Sequence, residues 1–267
     1  RDLRMSRGLG DVYKRQTNSG YDVSFTVTPV KTEDLRWHVS TSFSHAYNEV
    51  NTLPAAEQFE LSDFLNGKAV VKGKSVSTFY SYKFTGLDPE NGIPMFDDME
   101  DEQEKLYGLS KYEVFTQVLE SSGRREPKIF GGLNTTLNYK RWRLNASFSY
   151  SLGAKTRLFK LYNDYTGRFR PEDNLNRILL YRWQHAGDEN YTNIPVMLPS
   201  GDVLSHWSTS LNGKMPVIAS SVWDMYNYSN IRVVSANYLK CMNLSLTYSV
   251  NTEHLGISLL EVAASVT

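Results

Sequence analysis

Residues 129–152, IFGGLNTTLNYKRWRLNASFSYSL, hold two consecutive stretches in which every second side chain is apolar and none on that face is charged. In the first, the apolar positions are Ile129, Leu133, Leu137 and Tyr139, with Gly131 and Thr135 between them. After Lys140-Arg141 the alternation resumes at Trp142, Leu144, Ala146, Phe148, Tyr150 and Leu152. The opposite positions are Asn134, Thr136, Asn138, Arg143, Asn145, Ser147, Ser149 and Ser151. Period-2 alternation of this length predicts an antiparallel hairpin turning at Lys140-Arg141. Small neutral hydroxyls and amides fill the polar face, and aromatics stand at the strand ends. Outer-membrane barrel strands have this distribution, with an apolar band toward lipid, a polar lumen and aromatic girdles at both interfaces.

The signature recurs along the chain. Tyr21, Val23, Phe25 and Val27 alternate with Asp22, Ser24, Thr26 and Thr28. Past residues 31–34 come Leu35, Trp37, Val39, Phe43 and Tyr47, set against Arg36, His38, Ser40, Ser42 and Ser44. Met242, Leu244, Leu246, Tyr248 and Val250 alternate with Cys241, Asn243, Ser245, Thr247 and Ser249. Last, Leu260, Val262, Ala264 and Val266 oppose Glu261, Ala263, Ser265 and Thr267. A strand of about ten residues tilted about 40° spans about 25 Å, the height of a barrel's apolar band. On this reading charges on the apolar face stay at strand ends, Lys240 and a protonated His45, where lipid contact costs only about 0–1 kcal/mol. Cys241 reads as a small residue on the inner face.

The rival architecture is a soluble β-sandwich, which also alternates in and out. Its strands are shorter, about 5–6 residues, and its solvent faces favour Lys and Glu over Ser, Thr and Asn. Composition narrows the field further. No apolar run reaches the roughly 18 residues of a transmembrane helix. Formal net charge is zero, which removes the electrostatic argument for nucleic acid. The 17 Tyr, 12 Phe and 5 Trp suit interfacial girdles or sugar-stacking surfaces. A single cysteine excludes an intrachain disulfide.

Residues 1–16, RDLRMSRGLGDVYKRQ, are basic, lack a signal peptide's apolar region, and read as a non-native assembly or adapter scar. Residues 17–267 read as a partial barrel of about eight antiparallel strands, because the alternation still runs at Thr267. Between strands, residues 55–65 suggest a short amphipathic helix closed by Asn66-Gly67, and residues 86–128 read as loop. Residues 153–235 read as a long mixed segment with helical character around 174–185. In Gly86-Leu87-Asp88-Pro89-Glu90-Asn91-Gly92, Asp-Pro starts a turn and Asn-Gly supplies a positive φ. The acidic run at residues 97–104 reads as a solvated loop or acidic first turn, since its spacing does not fit a Ca²⁺ loop. Nucleophile elbows, zinc-protease helices, Walker loops and dinucleotide motifs are all absent from the sequence, and its five histidines are scattered singly. No catalytic residue, metal ligand or cofactor is expected.

Four blocks, in order, carry a family resemblance. Residues 76–96, VSTFYSYKFTGLDPENGIPMF, resemble an aromatic strand running into GLDP-x-x-G-x-P, here Gly86, Leu87, Asp88, Pro89, Gly92 and Pro94. Residues 127–153 resemble a PK-x-x-GG-x-x-T-x-x-YK…FSYS-x-G block, and residues 181–195 an RW-x-x-x-GD-x-x…T-x-IP block. Residues 230–250 resemble a closing S-x-YLR-x-x-N-x-x-L-x-Y phrase, with Lys240 replacing the usual Arg. These are blocks of the SusC/RagA-type TonB-dependent outer-membrane transporters.

The resemblance implies one segment of a barrel of about 22 strands with long extracellular loops, lying in outer-membrane lipid. Plug domain and TonB box are expected to lie outside this chain. It further implies nutrient import driven through the TonB complex, a SusD-like surface lipoprotein as partner, and an oligosaccharide or oligopeptide as substrate. A TonB-dependent receptor for metal chelates and a soluble carbohydrate-binding or glycan-processing β-domain are the alternatives. Substrates of this size are held by loop aromatics and hydrogen-bonding side chains. Trp183, flanked by Arg182 and near Asp188, is the first candidate for that contact, followed by Trp207 and Trp223. Each of these indoles also has a simpler role open to it, as a buried anchor for its loop.

Overall fold

Alternating side chains put one apolar and one polar face on every strand, and register decides whether those faces line up. A computed structural model describes residues 15–53, 59–162, 174–197, 218, 221–252, 254 and 256–267. Its strands are β1 (Arg15–Lys31), β2 (Leu35–Thr52), β3 (Thr78–Ser81), β4 (Lys83–Leu87), β5 (Pro94–Asp97) and β6 (Glu120–Arg124). They continue with β7 (Ile129–Tyr139), β8 (Trp142–Leu152), β9 (Lys155–Arg157), β10 (Val233–Ser235), β11 (Tyr238–Val250) and β12 (Leu260–Val266). Short helices are α1 (Leu61–Leu65), α2 (Lys111–Val118) and α3 (Val222–Asn227). The chain divides into two compact units, one holding residues 17–48, 126–154 and 235–267, the other residues 1–16, 49–125 and 155–234.

The first unit is a six-stranded sheet in the order β1-β2-β7-β8-β11-β12. Pairing is antiparallel wherever the register is defined. The predicted hairpin forms with Tyr139 opposite Trp142, and Lys140 takes the positive φ, 53°, that a two-residue turn needs. Directly paired residues share a face, so Trp37, Leu137, Leu144, Leu246 and Ala264 form one apolar row across five strands. Among the described residues of the sheet unit, none covers this face. Leu144 is 37%, Leu246 43%, Phe25 58% and Val262 61% exposed. A β-sandwich would bury such a face against a second sheet. An open apolar face over six strands matches the membrane-barrel expectation instead.

Aromatic rings close the apolar face at both ends. Tyr139, Trp142 and Tyr248 stand in one row at the short-turn end, with the Trp142 and Tyr248 rings 4.6 Å apart. At the other end Tyr21 packs edge-on against Phe43, and the Tyr150 hydroxyl donates to the Ser42 carbonyl across Gly131. A Cβ on Gly131 would lie 2.8 Å from that hydroxyl, so the residue must be glycine for the ring to lie there. The eight residue-to-residue steps from Trp142 to Tyr150 span about 26 Å along the strand, or about 20 Å of membrane normal at about 40° of tilt. Even the indole N–H of Trp37 is satisfied on this face, by Thr135 Oγ1 at 2.8 Å. In hydrocarbon an unsatisfied N–H is costly.

Hydrogen bonds lace the polar face across its strands. Thr28 contacts His38, Thr136 donates to Asn145 at 2.9 Å, and Asn145 donates to Ser245 at 3.4 Å. One departure from the sequence reading lies here. A bulge between Cys241 and Asn243 shifts the parity of β11, so Cys241 pairs with Phe148 and Lys240 with Ser149. Cys241 therefore belongs to the apolar face and Lys240 to the polar one, the reverse of the expectation from unbroken alternation. An inserted residue flips every side chain on one side of it. The sheet has six strands against the roughly eight expected; the other strand-forming stretches fold in the second unit, where both faces of β3 are buried.

Connections alternate in length. Turns of 32–34, 140–141 and 251–259 join strands at one end, and the long segments 53–128 and 153–237 leave from the other. Short turns on one side and long loops on the other is barrel topology.

Candidate functional site

The long segments build the second unit, and it contains two of the four sequence blocks together with the tryptophans at Trp183 and Trp223. Residues 86–128, expected as loop, instead contain β5, a 3-10 helix at Glu100–Leu106, α2 and β6. The sequence Ser110-Lys111-Tyr112-Glu113 is a capping box whose signal was readable: Glu113 N donates to Ser110 Oγ, and Ser110 N donates to the Glu113 carboxylate at 2.9 Å. The helix expected at 55–65 begins only at Leu61, residues 54–58 being outside the described ones. Residues 174–185 form only a short 3-10 turn, Arg177–Tyr181, capped by Asn176.

Phe64, Tyr80, Tyr82, Leu106, Val114, Phe115, Ile218 and Met225 form one apolar cluster. Leu161, Tyr162, Leu179, Val222, Trp223 and Tyr226 form another.

In the Gly86–Pro94 block, β4 and β5 pair, and the Asp88 carboxylate closes the turn between them. It accepts from the Glu90 amide at 2.8 Å and from Asn91 Nδ2 at 3.0 Å. Asn91 Oδ1 accepts from the Ile93 amide, and Gly92 adopts the predicted positive φ, 69°.

The Arg182–Pro195 block packs directly on that turn. The Trp183 indole lies over Gly92, where any Cβ would collide with the ring. Gly92 is therefore needed twice, for its φ and for its missing side chain. Backbone bonds complete the junction, Trp183 N to Ile194 O at 2.9 Å and Val196 N to Gly92 O at 3.1 Å. Two motifs whose contacting residues, Gly92 and Trp183, are 91 positions apart in the chain are thus halves of one structure.

The candidate side chains are placed as follows. Trp183 is 7% exposed and donates Nε1–H to Glu189 at 3.2 Å. The Arg182 guanidinium donates to the Leu179 carbonyl at 3.2 Å. Asp188 accepts the amides of Gln184 and His185, both at 2.9 Å, so its partners are backbone amides and not Arg182. Those two amides hold its carboxyl below its ordinary pKa. Glu189 is lowered likewise, chiefly by backbone amides. Trp223 is fully buried and stacks on Tyr162 at 5.2 Å. Trp207 lies outside the described residues. Trp183 and Trp223 are thus both buried, one packed on Gly92 and the other on Tyr162.

Sequence reasoning missed Arg157. Its guanidinium donates to the carbonyls of Leu65 and Tyr80 at 2.6 and 2.7 Å and to Ser81 Oγ at 2.6 Å. It also lies over the Phe79 and Tyr228 rings. Burial pushes it down to about 10. No local motif marks such a residue, because its partners come from α1 and β3, distant in sequence. In the acidic run Asp97 pairs with Lys83 and Glu102 with Lys105. Among the described residues no cluster of three or more His, Cys, Asp or Glu is placed to hold a metal ion.

Comparison with known proteins places this geometry. Over 255 residues, 90% of the chain, it is 22% identical to TonB-dependent receptor P3 of Formosa agariphila. A 70-residue stretch, 26% of the chain, is 33% identical to TonB-dependent receptor P39 of the same organism. Among solved structures, the RagAB peptide transporter matches 96% of the chain with a TM-score of 0.65 at 17% identity. The RagAB peptide importer in its open-open state matches 95% with a TM-score of 0.60 at 19% identity. No family model matches the chain. The chain spans 22% of the length of receptor P3 and 26% of each RagAB chain. The fold is that of an antiparallel outer-membrane barrel segment with folded loops. These likenesses bear out the resemblance to SusC/RagA-type TonB-dependent transporters that the four blocks carry.

Proposed function

We propose that residues 17–267 are a barrel segment of a TonB-dependent, SusC-like outer-membrane importer of oligosaccharides or oligopeptides, and that residues 1–16 are an added segment, of which Arg15 and Gln16 extend β1. The protein resides in the outer membrane, its apolar face in lipid. It works with a SusD-like surface lipoprotein and with the TonB complex, and it is not an enzyme. The observation that carries this reading is the six-stranded sheet with one open apolar face bounded by aromatic rows, whose long connections leave one end. The likeness to proteins named as TonB-dependent receptors supports it. Folded loops on a rigid barrel suit solute capture, since binding residues gather on loops held by a scaffold. Arg182, Trp183, Asp188 and Trp223 then act on the solute through the shape of the loops they hold, and Trp207 is proposed as a direct contact. Uptake of labelled oligosaccharide and oligopeptide mixtures by cells carrying the intact protein, with and without TonB, tests the reading. TonB-dependent uptake and recovery of the protein in outer membranes are expected. Recovery as a monodisperse soluble protein without detergent would sink it.

A further inference from the structure

The bulge at Met242 does more than move Cys241 onto the apolar face. It turns Tyr238 and Lys240 onto the polar face, at the end of the sheet from which the long connections leave. There Phe130, Ser151 and Tyr238 form one row, and Gly132, Ser149 and Lys240 the next. Phe130 and Tyr238 are 41% and 50% exposed, while Ser151 between them is 6% exposed. On a face made mostly of hydroxyls and amides, two exposed rings flank a covered serine. In the Lys240 row, Gly132 and Ser149 carry little or no side chain. Lys128, whose stem lies against Gly153, belongs to the same face at the same end. Among the described residues neither ammonium has a hydrogen bond or ion pair. Among the residues of the sheet's strands, the carboxylate on this face and at this end is Asp22 of β1, with β2 between it and β7, and Glu126 lies just ahead of β7. Exposed rings and a cation without an ion pair, set on three paired strands, make a site for an anion carried next to an apolar surface.

Resting on the importer reading, we propose that Phe130, Tyr238 and Lys240 form a lumen-facing contact site for a solute carboxylate adjoining an apolar face. The group is either a peptide's C-terminal carboxylate or a sugar acid. Lys240 supplies the charge-assisted hydrogen bond and the rings the apolar contact.

Equilibrium binding to the intact protein in detergent, its barrel fold checked by heat-modifiable migration, tests the site with two probe pairs. One pair is a tetrapeptide with a free C-terminus and the same peptide amidated. The other is a uronate-ended trisaccharide and its neutral counterpart. Within one pair the acid is expected to bind about tenfold more tightly, as one charge-assisted bond implies. Lys240→Gln removes that preference and leaves the neutral member within about twofold, while Tyr238→Ala weakens both members. The pair that responds identifies the source of the carboxylate. An acid preference that survives Lys240→Gln overturns the site, as does its absence from wild-type protein that imports another solute. Wild-type protein that imports nothing through TonB overturns the importer reading, and this site with it. In a Cys241→Ser background, Lys240→Cys should react with a charged aqueous maleimide; labelling only from the lipid phase overturns the bulged register.

Discussion

The two units treat their apolar side chains in opposite ways. In the sheet, Phe25, Leu144, Leu246 and Val262 are exposed; in the loop unit, Phe64, Tyr82, Phe115 and Trp223 are at most 1% exposed. Both are rich in strand-forming residues, so propensity does not separate them. The medium does. The sheet's apolar face has no partner within its own unit and needs lipid, whereas the loop unit closes its own cores and needs only water. A single chain can thus hold one part that folds against hydrocarbon and another that folds as a soluble domain does.

Mutations chosen on each side sharpen this contrast. The largest effect is expected from Trp223→Ala, which empties a fully buried site stacked on Tyr162. About 3–5 kcal/mol of loop-unit stability should be lost. Rapid proteolysis within 49–125 and 155–234, with heat-modifiable barrel migration kept, checks it. Loss of the barrel as well would show that the units do not fold separately.

Leu144→Arg comes next, at about 2–4 kcal/mol of barrel stability if its row lies at mid-bilayer. Asn145→Arg, on the polar face, should cost far less. Unfolding in urea from defined lipid vesicles compares the two variants, and equal losses would contradict the face assignment. Cysteines at 144, 146 and 148 should take lipid-phase label, and those at 145, 147 and 149 aqueous label.

Gly92→Ala should cost about 1–3 kcal/mol, from a positive φ and the collision with the Trp183 ring. Its signature is a red-shifted, quenchable tryptophan signal as the Gly86–Pro94 and Arg182–Pro195 blocks part, with the barrel unaffected.

The smallest effect concerns pH. The Gln184 and His185 amides lower the Asp188 carboxyl below its ordinary value. Its contribution is therefore present above the ordinary carboxylate range and fades as pH falls through the lowered value. Asp188→Asn should flatten the acid limb of loop protease resistance while changing little at neutral pH. An unchanged acid limb would mean the carboxylate is not coupled to loop folding.

Much of this was legible in the order of residues. Strand faces, the hairpin at Lys140-Arg141 and the turn at Gly86–Pro94 follow from period-2 alternation and local turn chemistry, which need no distant partner. The capping box at Ser110–Glu113 is equally local. The loop unit was harder, because its apolar residues are spread through short irregular pieces with no period. Trp183 shows the limit: an indole beside Arg and near Asp suits a sugar as well as it suits an anchor. Only Gly92, 91 positions away, decided that it lies buried.

The sequence by itself therefore determined that this protein has strands with one apolar and one polar face, because alternation is a property of neighbouring residues. Tertiary structure alone decided the parity of β11. A bulge exists only between two paired strands, and it sent Cys241 toward the apolar face and Lys240 and Tyr238 toward the polar one. Tertiary structure also decided that Arg157 ties α1 to β3 and that two distant motifs meet at Gly92. Those outcomes depend on which backbones approach each other, and no local run of residues encodes that.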